Sequence, residues 1–154
     1  MIQFAYESQQ VRARSGTGVD LVYRPKARIR IDGPKGTDEL SALVDTGADE
    51  TLLPVDLAER LGLELRDEAR TVILGIVGNS TPIWYAQVNL EVLRPGGGPR
   101  WSARVGFYLG AKPILGHAGF LDHFTAKFNG RAKTLTLTPN GTTPDAIRFE
   151  AESV

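Results

Sequence analysis

An all-β domain is what this sequence predicts, and three observations carry it. Apolar and polar residues alternate with a period of two in several stretches, such as Trp101, Ala103, Val105 and Phe107 against Ser102, Arg104 and Gly106. Gly- and Pro-rich turn signals, Asp32-Gly33-Pro34-Lys35-Gly36 and Pro95-Gly96-Gly97-Gly98-Pro99, separate these stretches. Helical signals are confined to two short segments, one after Pro54 and one from His117 to Phe124.

Taken in order, residues 1–31 read as strand. Val11 and Ala13, then Ala27, Ile29 and Ile31, are separated by basic residues. Arg12 and Arg14, and likewise Lys26, Arg28 and Arg30, recur every second position and so line one strand face each; a solvated sheet face is the favoured reading. The Asp32 to Gly36 turn makes residues 26–45 a hairpin whose second arm ends at Asp45. Pro54 suits the first position of a helix, with Leu57, Ala58 and Leu61 on its apolar side and Gly62 as its stop. Thr71 to Leu74 and Ile83 to Val92 are the arms of a glycine-tipped hairpin, in which Val88, Leu90 and Val92 alternate with Gln87, Asn89 and Glu91. The Pro95 to Pro99 stretch joins two strands and lacks the Gly-Lys-Ser/Thr ending of a phosphate loop. Phe120, Leu121 and Phe124 suit one face of a short helix, and Thr134 to Thr138 alternates as a strand. Residues 139–154 read either as a docked strand or as a tail.

Composition narrows the function. The 154 residues are 42% hydrophobic and 23% charged, which suits one globular domain. Eighteen basic residues balance eighteen acidic ones, so no long-range field draws the chain to nucleic acid or to an anionic membrane. The absence of Cys excludes disulfides, thiolate catalysis and Cys-based zinc sites, and two His are too few for a His-rich metal site. No metal or cofactor is expected. No apolar run approaches membrane-spanning length and the first residues lack the pattern of a signal peptide, so a cytoplasmic location is expected.

The chemistry concentrates in Ala42-Leu43-Val44-Asp45-Thr46-Gly47-Ala48-Asp49-Glu50-Thr51-Leu52-Leu53-Pro54. A short apolar run carries an ionisable carboxylate into a turn where Gly permits angles that other residues resist. Taken alone, Asp-Thr-Gly is also an ordinary Asx turn in which Asp45 caps its own loop. With its apolar flanks and the Ala48-Asp49 that follows, the segment resembles the active-site segment of the retropepsin-like aspartic proteases. The order of the elements adds to the likeness: the Asp45-Thr46-Gly47 loop, a hairpin with Gly75 and Gly78, then Ile114-Leu115-Gly116 before a short helix. Separately, each of the last two is an ordinary hairpin turn or core segment. The resemblance spans about residues 24–138, leaving 1–23 as an N-terminal strand or extension and 139–154 as a C-terminal extension.

What the resemblance implies is a closed β-barrel with a flap hairpin, and a peptidase in which Asp45 is the catalytic carboxylate. It further implies that the Thr46 hydroxyl braces two active-site loops, that Gly47 offers a backbone contact to substrate, and that Ala48 and Asp49 lie on substrate-binding positions. Leu74, Gly75, Ile76, Val77, Gly78, Ile83 and Ile114 are candidate flap and pocket residues. Where the retroviral enzymes carry an Arg that pairs with an acid matching Asp49, this chain has His117, which would make such a pairing pH-sensitive; a helix-capping role is the competing reading.

Water-mediated peptide hydrolysis needs two carboxyl groups sharing a proton. The sequence holds a single Asp-Thr-Gly and no Asp-Ser-Gly. The second carboxylate is therefore expected from another copy across a two-fold axis, with a protein or peptide as substrate. The alternative is a non-catalytic dimerisation or peptide-binding module on the same fold.

Overall fold

The computed structural model describes residues 1–65, 70–74 and 78–141, with the backbone alone at 70–74 and 79. Its centre is a hairpin of β4 (Lys26–Gly33) and β5 (Gly36–Val44), preceded by β1 (Ile2–Ala5), β2 (Glu7–Arg12) and β3 (Val19–Arg24). The expected alternation holds in β4, where Ala27, Ile29 and Ile31 are fully buried and Arg28 is exposed. After β5 come β6 (Leu52–Pro54), helix α1 (Val55–Leu61), β7 (Arg70–Leu74), β8 (Asn79–Val92), β9 (Arg100–Tyr108), β10 (Ile114–Leu115), β11 (Phe124–Asn129) and β12 (Thr134–Pro139).

Strand order shows how the barrel closes. Neighbours run β4, β5, β10, β6, β9, β8, and β8 returns to β4 through the pairs Ile29 with Val92 and Ile31 with Leu90. Six strands therefore form a ring without a free edge, which removes the pairing liability of an open sheet. Most neighbours are antiparallel, but β10 runs parallel to β5 and β6 parallel to β9. Strand β7 lies outside the ring and, among the described residues, pairs only with β8, Leu74 opposite Asn79, as the expected hairpin. Inside the ring Ile29, Ile31, Val92, Val105, Phe107 and Leu115 form a continuous core.

Helix α1 packs Leu57, Ala58 and Leu61 inward and stops at Gly62, whose φ of 69° is left-handed as the C-terminal cap requires. Pro54 occupies the N-cap, one position earlier than the sequence suggests. Strand β1 pairs with β12, which pairs with β11, making a three-stranded sheet against the barrel. Among the described residues, strands β2 and β3 pair only with each other, joined to the barrel by the Ser41 hydroxyl donating to Glu7 at 2.8 Å.

The short helix expected at 117–124 is corrected to one 3-10 turn, Leu121–His123, with Phe124 already in β11. Gly119, at φ 90°, interrupts the helical run. Phe120 and Phe124 are buried by packing on Trp101, with ring centroids 5.8 and 5.3 Å away, and a tight turn places both rings there without a helical face. Glu91 likewise departs from its alternating pattern. It is 3% exposed, because Arg30 and Arg100 each reach its carboxylate at 3.1 Å and the Gly98 amide donates to it at 3.2 Å.

Candidate active site

The last residues of β5 carry Asp45 out of the core under tight backbone control. Leu43 N donates to Pro113 O at 3.1 Å, Val44 N to Pro25 O at 2.9 Å, and Asp45 N to Leu115 O at 3.0 Å. The chain then turns. Gly47 N donates to Asp45 Oδ1 at 2.8 Å, and Ala48 N to Asp45 O at 3.2 Å. The Asx-turn reading and the reactive-carboxylate reading are thus compatible: Oδ1 caps the turn, while Oδ2 takes no hydrogen bond from the described residues. Asp45 is half-buried, and Thr46 and Gly47 are exposed, so the carboxylate sits at an open surface of this chain.

A second segment holds the turn from beneath. Leu115 accepts from Asp45, His117 N donates to Ala48 O at 2.9 Å, and Ala118 N to Asp49 O at 2.9 Å. The backbones approach so closely at Gly116 that a Cβ there would overlap the carbonyl oxygens of Glu50 and Ala48. The His117 ring does not pair with Asp49; its Nε2 lies 2.8 Å from the Thr46 carbonyl oxygen. Among the described residues no group of three or more His, Asp or Glu side chains is arranged to hold a metal ion.

The remaining predicted residues divide by position. Ala48 is half-buried and Asp49 exposed on the turn itself, and Ile114, half-buried in β10, pairs with Leu43 and Leu52. Ile83 is fully buried beside Leu52, Tyr85 and Tyr108, so it supports the wall from behind and offers no surface of its own. Leu74 ends β7, and Gly78 is exposed at a left-handed φ of 77°. Gly75, Ile76 and Val77 lie outside the described residues.

Two features of the site were not anticipated. Thr51, 1% exposed, accepts from Gly116 N through Oγ1 at 3.3 Å, donates its own amide to Ala118 O, and accepts from Gly106 N at 2.9 Å. It ties the turn, β9 and the 115–118 segment together. Glu50 accepts from the buried Tyr85 hydroxyl at 2.8 Å, and the Arg104 guanidinium lies 4.3 Å over the Tyr85 ring. Neither follows from pattern, since a polar residue just past an exposed turn reads as solvent-facing. Close by, burial raises the Tyr108 phenol above its ordinary value, against the opposing effect of its hydrogen bond to Lys112 O.

Residues 27–97, from β4 to the turn after β8, match the family model for aspartyl proteases. No curated protein matches the chain. Among solved structures, the chain is similar to EIAV protease in complex with the inhibitor HBY-793, at 24% identity over 61% of this chain and 82% of that one, with a TM-score of 0.43. It is also similar to a retropepsin-like aspartic protease from Rickettsia conorii, at 20% identity over 89% of this chain and 96% of that one, with a TM-score of 0.45. Residues 27–97, the part of the chain that matches the aspartyl protease model, carry the Asp-Thr-Gly turn on the closed six-stranded barrel.

Proposed function

We propose that the chain is a homodimeric aspartic endopeptidase in which two copies each contribute one Asp45 to a shared site. The observation that carries this reading is the Asp45 carboxylate itself. It stands half-buried at the end of a barrel strand, with Oδ1 fixed by Gly47 N and Oδ2 open, on a chain with no second Asp-Thr/Ser-Gly. One carboxylate cannot both accept a proton from water and protonate or polarise the scissile carbonyl. Two Asp45 side chains on a two-fold axis can, because like charges at contact distance resist joint ionisation and one proton is kept between them. The basic form takes a proton from water as it attacks the carbonyl carbon, while the protonated form donates to the carbonyl oxygen.

In this reading the exposed Thr46 braces the two loops against each other, and Gly47, Ala48 and Asp49 meet the backbone of an extended peptide. The hairpin of β7 and β8 covers the substrate, and Ile114 lines an apolar subsite. Activity passes through an acidic optimum and falls at higher pH as the pair loses its shared proton. Digestion of a mixed peptide library at acidic pH tests the proposal. Cleavage that is abolished by Asp45→Asn in a folded protein supports it, and full activity in that variant refutes it.

A further inference from the structure

This inference rests on Asp45 being the catalytic carboxylate. The Asp45 turn is fastened to residues 115–118 by three backbone hydrogen bonds and by one made with a side chain, that of His117. A carbonyl oxygen only accepts, so at 2.8 Å the His117 Nε2 carries the hydrogen and donates it to Thr46 O. The Thr46 carbonyl and the Gly47 amide belong to the same planar peptide unit. That unit is therefore held at both ends: His117 holds its C=O, and its N–H donates to Asp45 Oδ1 at 2.8 Å.

Such a plane needs holding. Rotation of a peptide unit changes ψ of the residue before it and φ of the residue after it, and here the residue after is Gly47, which has no Cβ to oppose the change. A rotated plane would carry the Gly47 N–H away from Oδ1 and release the carboxylate from its orientation. We propose that His117 is a positioning residue that orients the Asp45 carboxylate through the Thr46-Gly47 peptide plane, as a hydrogen-bond donor to Thr46 O and not as the ion-pair partner of Asp49. Its ring is exposed and forms no part of the barrel core, so its replacement removes the hold and leaves the fold.

The test compares His117→Gln, His117→Asn and His117→Ala in the full chain. A Gln amide nitrogen lies about as far from its backbone as Nε2 does, whereas an Asn amide reaches only as far as Nδ1. One hydrogen bond of about 0.5 to 1.5 kcal/mol corresponds to a change of roughly two- to tenfold. In peptide hydrolysis, the Ala and Asn variants lose kcat by about that factor with KM little changed, and Gln stays near wild type. Amide hydrogen exchange at Gly47, read by NMR, accelerates by a similar factor in Ala and Asn and returns to wild type in Gln. Equal losses in Gln and Ala, or unchanged Gly47 exchange in Ala, overturn the proposal. If exchange follows the prediction in a wild-type protein that hydrolyses no peptide, the peptidase reading fails and the hold on the peptide plane stands.

Discussion

The Asp45 amide donates to the Leu115 carbonyl at 3.0 Å, so the residue that leaves β5 hangs from the residue that ends β10. The two strands run parallel, Leu43 beside Ile114 and Val44 beside Leu115, and the segment after β10 continues under the turn. The position of the carboxylate is thus set by a segment about 70 residues away in sequence rather than by the turn alone.

Gly116 is where that contact is tightest, and Gly116→Ala should be the most damaging small substitution near the site. The added methyl meets backbone oxygens of Glu50 and Ala48, which cannot swing aside as a flexible side chain would. Overpacking of this kind costs about 1 to 3 kcal/mol. Urea unfolding should show a lower midpoint at unchanged slope, together with a loss of peptide hydrolysis; a midpoint equal to wild type contradicts the packing described.

Tyr85→Phe removes the hydroxyl that donates to both Glu50 carboxylate oxygens, at 2.8 and 2.9 Å, and leaves the ring in its buried place. A hydrogen bond to a charged acceptor contributes about 1.5 to 3 kcal/mol, and partial exposure of Glu50 brings the expected loss to the lower end of that range. Equilibrium denaturation measures it, and a variant as stable as wild type would show that the contact contributes nothing.

Tyr108 predicts an alkaline effect. Burial raises its phenol above 10.0, so the folded protein binds this proton more tightly than the unfolded chain does. The corresponding stability is complete below pH 10.0 and declines as pH rises from there through the folded value. Ultraviolet titration should show a late-ionising tyrosine component, and Tyr108→Phe should reduce it. Ionisation of all four tyrosines together near the ordinary value contradicts the burial.

Much of this fold is legible in the sequence because a period of two reports directly which side chains face a core. Ala27, Ile29 and Ile31 predict their burial in β4, and Trp101 to Phe107 predict β9. The same pattern places Glu91 outward, and there it fails: the burial comes from Arg30, Arg100 and the loop at Gly98, which only the folded chain brings together. The aromatic run at 120–124 has helical spacing, but Trp101 sets the positions of its rings. At the site, Asp45 and its turn could be read from local residue types. The roles of Thr51, Tyr85 and the His117 ring could not, since each hydrogen-bonds a partner at least 35 residues distant in sequence.

The central claim is that Asp45 is half of an active site completed by a second copy, and specific activity across a dilution series tests it most directly, with sedimentation on the same samples. Hydrolysis per chain should fall as the protein is diluted through its dimer dissociation constant, track the dimer fraction, and be absent at every concentration in Asp45→Asn. Activity per chain that stays constant while sedimentation shows only monomer would contradict the account.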